Sequence, residues 1–146
     1  MSPGQPIRIL LVEDDPGDVL LTLEALEESK LLHELEVVNN GVDALERISR
    51  STGPEGEPFP DLILLDLNLP RVDGRGVLAQ LKGDPATSHI PVVVLTTSDA
   101  AEDVSTSYGL HANAYVCKPV DFARFHDVIR SIDEFFLTVV RLPTRS

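Results

Sequence analysis

A single cysteine, Cys117, stands in the whole chain, so no intrachain disulfide can form, and the composition fits a reducing cytosol. Basic residues are scarce as well. Twelve lysines and arginines face 24 acids, giving a formal net charge of -12 that opposes binding to nucleic acid or to an anionic membrane surface. No apolar run approaches the ~20 residues that cross a bilayer. The opening segment Met1–Pro6 lacks lysine and arginine, and the apolar run behind it stops at Glu13, so it does not read as a signal peptide. His33, His89, His111 and His126 are scattered without ligand spacing, so none is assigned to a metal. What is left is a soluble, cytoplasmic chain of 146 residues, 42% hydrophobic, enough for one core and one domain.

The pattern that is present is an alternation. Ile7–Val12 is almost wholly apolar and ends in Glu13-Asp14-Asp15, as expected of a strand buried on both faces of a parallel sheet. Leu62–Leu65 ends in the same way at Asp66, Val92–Leu95 at Thr96 and Ala114–Cys117 at Lys118, while Leu35–Val38 is a weaker, edge-like strand. Helical spacing follows each. Asp15 reads as an N-cap with Pro16 at the first helical position, and Val19, Leu20, Leu23 and Leu26 then share a face. Val42, Leu45 and Ile48 repeat this, as do Val77, Leu78 and Leu81; a fourth segment around Val104 and Tyr108 is polar, and a fifth carries Phe122, Phe125, Ile129, Ile132 and Phe136. Breakers between Ser51 and Pro60 mark a surface loop.

Five such repeats imply an α/β fold, a doubly wound five-stranded parallel sheet with helices on both faces, for which 2-1-3-4-5 is a common flavodoxin-like order. Ligands of such sheets bind beyond the carboxyl ends of the strands. Those ends supply acids, a hydroxyl and an ammonium. Carboxylates ~4 Å apart repel by about 4 kcal/mol at an effective dielectric of 20, so the cluster calls for a cation, and an all-oxygen donor set with few carboxylates suits Mg²⁺. Lys118 adds a point charge and Thr96 a neutral donor for a phosphoryl oxygen, which makes Asp66 the natural nucleophile and an acyl phosphate its product. The plainer alternatives are that Glu13 and Asp14 cap the first helix, that Thr96 caps a strand end, and that Lys118 is a solvated surface residue.

Val12-Glu13-Asp14-Asp15, Leu65 to Pro70 followed by Asp73-Gly74, Leu95-Thr96-Thr97-Ser98 and Tyr115 to Pro119 resemble, in order and spacing, the motifs of response-regulator receiver domains. The resemblance spans nearly the whole chain. It implies that a histidine kinase phosphorylates Asp66, that Glu13, Asp14, Asp66 and the backbone carbonyl of Asn68 hold Mg²⁺, and that Thr96 and Tyr115 switch on phosphorylation. Such a domain catalyses only its own phosphorylation and dephosphorylation. Asp18 to Leu26 and the valine-rich tail ending in Leu142-Pro143 are most similar to the single-domain regulators paired with bacterial phytochromes, which implies a phytochrome kinase as partner. Glu13, where aspartate is commoner, and the long Ser51–Pro60 loop depart from the general pattern.

The expected division is a disordered tail over 1–6, a receiver domain over 7–137 and an extension over 138–146. Val128 and Phe135 extend the apolar face beyond the core stripe and Val139 and Val140 continue it, which predicts a homodimer on the last helix and tail, built on Phe122, Phe125, Val128, Phe135, Val139 and Val140; the alternative is a wider core stripe with the tail folded back. Three other functions compete. An aspartyl-phosphate phosphatase of the haloacid dehalogenase kind needs a second acid where Asn68 stands, and a flavodoxin-like cofactor binder needs a phosphate loop where Glu13-Asp14-Asp15 would repel phosphate. The third is a receiver-like interaction module that is not phosphorylated.

Overall fold

The computed structural model describes residues 6–28, 33–67, 69, 73–96, 114–117 and 127. In chain order they form β1 (Ile7–Val12), α1 (Pro16–Glu28), β2 (His33–Val38), α2 (Gly41–Thr52), β3 (Leu62–Asp66), α3 (Gly74–Gly83), β4 (Val92–Thr96) and β5 (Ala114–Cys117). All strand pairs are parallel, and the order across the sheet is β2-β1-β3-β4-β5, as expected from the sequence. The expected fourth and fifth helices, the apolar residues Phe122, Phe125, Val128, Phe135, Val139 and Val140, and the extension over 138–146 lie outside the described residues.

Strand residues alternate between two cores. Leu10, Val12, Ile63, Leu65, Val92 and Val94 meet Ile48 of α2 and Val77, Leu78 and Leu81 of α3 on one face. Ile9, Leu11, Leu62, Leu64, Val93, Leu95 and Val116 meet Ala25 and Leu26 of α1 on the other. Every residue of β3 is buried, which is why its sequence shows no polar alternation.

Local chemistry sets the helix boundaries. The Gly17 amide donates to Asp15 Oδ1 at 2.8 Å, so Asp15 caps α1 with Pro16 opening it, in agreement with the expectation. Asn40 caps α2 by accepting from the Asp43 amide, and Asp73 caps α3 by accepting from the Arg75 amide, both at 2.8 Å. The sequence-predicted face of α1 needs one correction. Its buried line runs through Thr22, Ala25 and Leu26, whereas Leu20, two residues or about 200° of helical turn from Thr22, is 57% exposed. β2 begins two residues earlier than its apolar run, because His33 pairs with Ile7.

The Ser51–Pro60 stretch also divides differently. Ser51 and Thr52 complete α2, and the chain then turns through Gly53 and Gly56, whose φ of 62° is left-handed backbone that suits glycine. The loop is fastened, not loose. Arg47, only 5% exposed, donates to Glu36 Oε1 at 2.9 Å, Ser51 Oγ at 2.8 Å and the Pro58 carbonyl at 2.8 Å, while Arg50 pairs with Glu57 at 2.7 Å.

Candidate functional site

Strand register levels the acids. Val12 pairs with Leu65, so Glu13 and Asp66, each one residue further on, emerge together from adjacent strands. Backbone bonds hold both ends in place: the Glu13 amide donates to the Val38 carbonyl at 3.0 Å, and the Leu67 amide to the Leu95 carbonyl at 3.3 Å. One carboxylate oxygen from each of Glu13, Asp14 and Asp66 then falls within 4.8 Å of the others. Glu13 and Asp66 are buried, at 1% and 3% exposure, while Asp14 faces solvent.

Two buried carboxylates at that spacing repel by about 3 kcal/mol or more at an effective dielectric of 20. A divalent cation removes that cost. The donor set is all oxygen, partly buried and open on the Asp14 side, which fits a hard ion that keeps some of its waters. The longer Glu13 is also held from behind, since its Oε2 accepts the Asp15 amide at 3.2 Å. Asp15 stays out of the cluster, its own Oδ1 being engaged in the helix cap. The three acids thus meet at one sheet edge, and the cap of α1 is Asp15.

The remaining site residues are placed by backbone alone or not at all. Asp66 pairs with Leu95 and Thr96 with Cys117, so β4 lies next to β3 and β5 next to β4, their ends on the same edge of the sheet. Thr96 closes β4, and Lys118 would follow β5 directly. Lys118, Asn68, and the side chains of Thr96 and Tyr115 lie outside the described residues.

Sequence reasoning overlooks one neighbour of the cluster. Gly74, the first residue of α3, donates its amide to the Leu67 carbonyl at 3.0 Å, pressing the helix onto the peptide that follows Asp66. Its place after Asp73 in the motif is the signal that was available. Further from the site, Lys82 Nζ donates to the Ser88 and Ile90 carbonyls at 3.1 and 2.6 Å, and burial pushes its amine below the ordinary lysine value of 10.5.

Comparison with known proteins agrees with this geometry. The model of the response regulator receiver domain family matches residues 9–130. The response regulator Rcp1 of Synechocystis sp. is 44% identical over 138 residues, covering 94% of each chain. A crystal structure of its Mn²⁺-bound form superposes with a TM-score of 0.74 at 45% identity, covering 94% of this chain and 99% of that one. The phosphorylated cyanobacterial phytochrome response regulator RcpA gives a TM-score of 0.75 at 42% identity, covering 92% and 96%. The bacteriophytochrome response regulator RtBRR gives 0.77 at 46% identity, covering 88% and 78%.

Proposed function

Because this chain belongs to the response regulator receiver domain family, we propose that it is a single-domain response regulator that takes a phosphoryl group from a histidine kinase onto Asp66. One observation carries this reading. Glu13, Asp14 and Asp66, from two adjacent strand ends, bring carboxylate oxygens within 4.8 Å of one another with two of the three residues buried, an arrangement that a bound divalent cation favours.

Mg²⁺ is the ion of choice, held by Glu13, Asp14, Asp66 and the backbone carbonyl of Asn68. When bound, it would neutralise charge on the transferring phosphoryl oxygens. The protein's own part is positioning. Asp66, fixed at the end of a fully buried strand, presents a carboxylate oxygen to phosphorus; the phosphohistidine P–N bond breaks as the O–P bond forms, and the histidine leaves with its electron pair. Thr96 donates its hydroxyl to one phosphoryl oxygen, and Lys118 offsets the charge of another. Thr96 and Tyr115 then carry the change to the surface. The chain catalyses only its own phosphorylation and dephosphorylation.

The donor is a phytochrome-type histidine kinase, a reading supported by the likeness to RcpA and RtBRR, and the signal leaves by protein contact or phosphorelay. The net charge of -12 argues against nucleic acid and membrane surfaces as partners, and no helix among the described residues is long and apolar enough to cross a membrane. A cytoplasmic homodimer built on Phe122, Phe125, Val128, Phe135, Val139 and Val140 completes the proposal. A small phosphodonor such as acetyl phosphate, supplied with Mg²⁺, is expected to label the wild-type protein and to leave Asp66→Asn unlabelled. Label of equal intensity in that variant would move the acceptor elsewhere.

A further inference from the structure

The head of α3 lies against the peptide after Asp66. A Cβ built on Gly74 would stand 2.2 Å from the Asp66 carbonyl oxygen, 2.6 Å from the Leu67 Cα and 3.0 Å from the Asp66 carbonyl carbon. All three are backbone atoms, so no side chain can swing aside to make room. The contact is also bonded, through the Gly74 amide and the Leu67 carbonyl at 3.0 Å, while the Asp73 cap fixes the helix end from the other side. Gly74 itself is not in left-handed backbone; the requirement is for space. Leu67, fully buried, leaves the strand end no freedom to retreat into the core.

We propose that Gly74 is a positioning residue for Asp66: the bare Cα at the head of α3 allows the helix to clamp the peptide that carries the acceptor carboxylate and so sets its placement against Glu13 and Asp14. The proposal rests on the reading of Asp66 as acceptor for its kinetic consequence, and on the Glu13–Asp14–Asp66 cluster alone for its consequence in metal binding. Any larger residue at 74 displaces the Asp66–Leu67 backbone. A shift of the order of 1 Å in a reacting group costs about 100-fold in rate.

The test compares Gly74→Ala with Gly83→Ala at the other end of the same helix, where an added Cβ meets nothing within 4 Å. In protein shown by circular dichroism to be folded, Gly74→Ala is expected to weaken Mn²⁺ binding about tenfold by calorimetry and to slow labelling by acetyl phosphate about 100-fold. Gly83→Ala should match wild type in both. A Gly74→Ala protein that melts earlier but binds Mn²⁺ with wild-type affinity would have lost stability only, and the positioning role would be overturned. Should Asp66→Asn still accept label, the acceptor reading falls while the Mn²⁺ affinity of Gly74→Ala continues to decide this one. If Gly74→Ala does not fold, amide hydrogen exchange of the wild type decides. The clamp predicts a protected Gly74 amide whose exchange slows further on adding Mn²⁺; an unprotected amide that ignores the metal overturns it.

Discussion

Glu13 is the most exposed to contradiction of the cluster residues, because its carboxylate is buried beside another and its worth depends on what is bound. Glu13→Gln keeps the shape and an oxygen to accept the Asp15 amide, but removes one charge from the cluster. Without metal this variant is expected to be more stable than wild type, by about 1–2 kcal/mol once solvent screening on the Asp14 side is allowed for, and to bind Mn²⁺ at least about tenfold more weakly. Thermal melts with and without metal check both signs. Lower stability of the metal-free variant would mean that the carboxylates do not repel as their spacing requires. The meeting of Glu13, Asp14 and Asp66 was legible in the sequence because acids that end abruptly apolar strands have nowhere to go but the sheet edge. Gly74 was less so, since the cost of a Cβ there arises from the backbone of Asp66 and Leu67, which only folding brings near.

Among the elements, α2 shows where periodicity misleads. Arg47 sits on the buried side with Ala44, Ile48 and Ser51, a place that residue type alone would deny it. Three acceptors on β2, α2 and the following loop pay for that burial. Arg47→Met is expected to cost about 2–3 kcal/mol, below the range for a wholly buried pair because the Glu36 side chain is 47% exposed, and to loosen the loop that ends in β3; urea unfolding measures it. At the end of α3, Lys82 makes a second tie, and its lowered amine basicity fixes the sign of a pH effect. The folded chain gives up this proton more readily than the unfolded one, so the contribution of Lys82 to stability rises as pH climbs through its lowered value toward 10.5. The stability difference between wild type and Lys82→Met should therefore grow in favour of wild type over that window, and a difference that shrinks would refute the assignment. The α3 stripe of Val77, Leu78 and Leu81 was readable because polar residues surround it; α1 is apolar on nearly all sides, so its sequence did not disclose that Leu20 faces out.

For the molecule as a whole, metal and stability are linked. An ion that binds the folded cluster and not the unfolded chain stabilises by about 2.7 kcal/mol at 100 times its dissociation constant, so Mg²⁺ should raise the melting temperature in proportion to log concentration once the site is saturated, and Asp66→Asn should blunt the response. A melting temperature indifferent to Mg²⁺ would leave the acids unexplained. Assembly is tested separately: light scattering at micromolar concentration, with and without a phosphoryl mimic, is expected to report a dimer, and a monomer in both conditions would return the apolar residues of the C-terminal segment to a purely internal role.

Two periods, of strand and of helix, together with acids placed where strands stop, were sufficient to specify from sequence a parallel sheet and the gathering of acids at its carboxyl edge, while its order is the common one for such repeats. These features are local, or follow from the few ways such repeats can pack. The spacing of the three carboxylates, the burial of Arg47, the exposure of Leu20 and the demand for a bare Cα at Gly74 were decided by the tertiary structure. Each depends on the distance between groups far apart in the chain, and no periodicity encodes a distance until register and packing have set it.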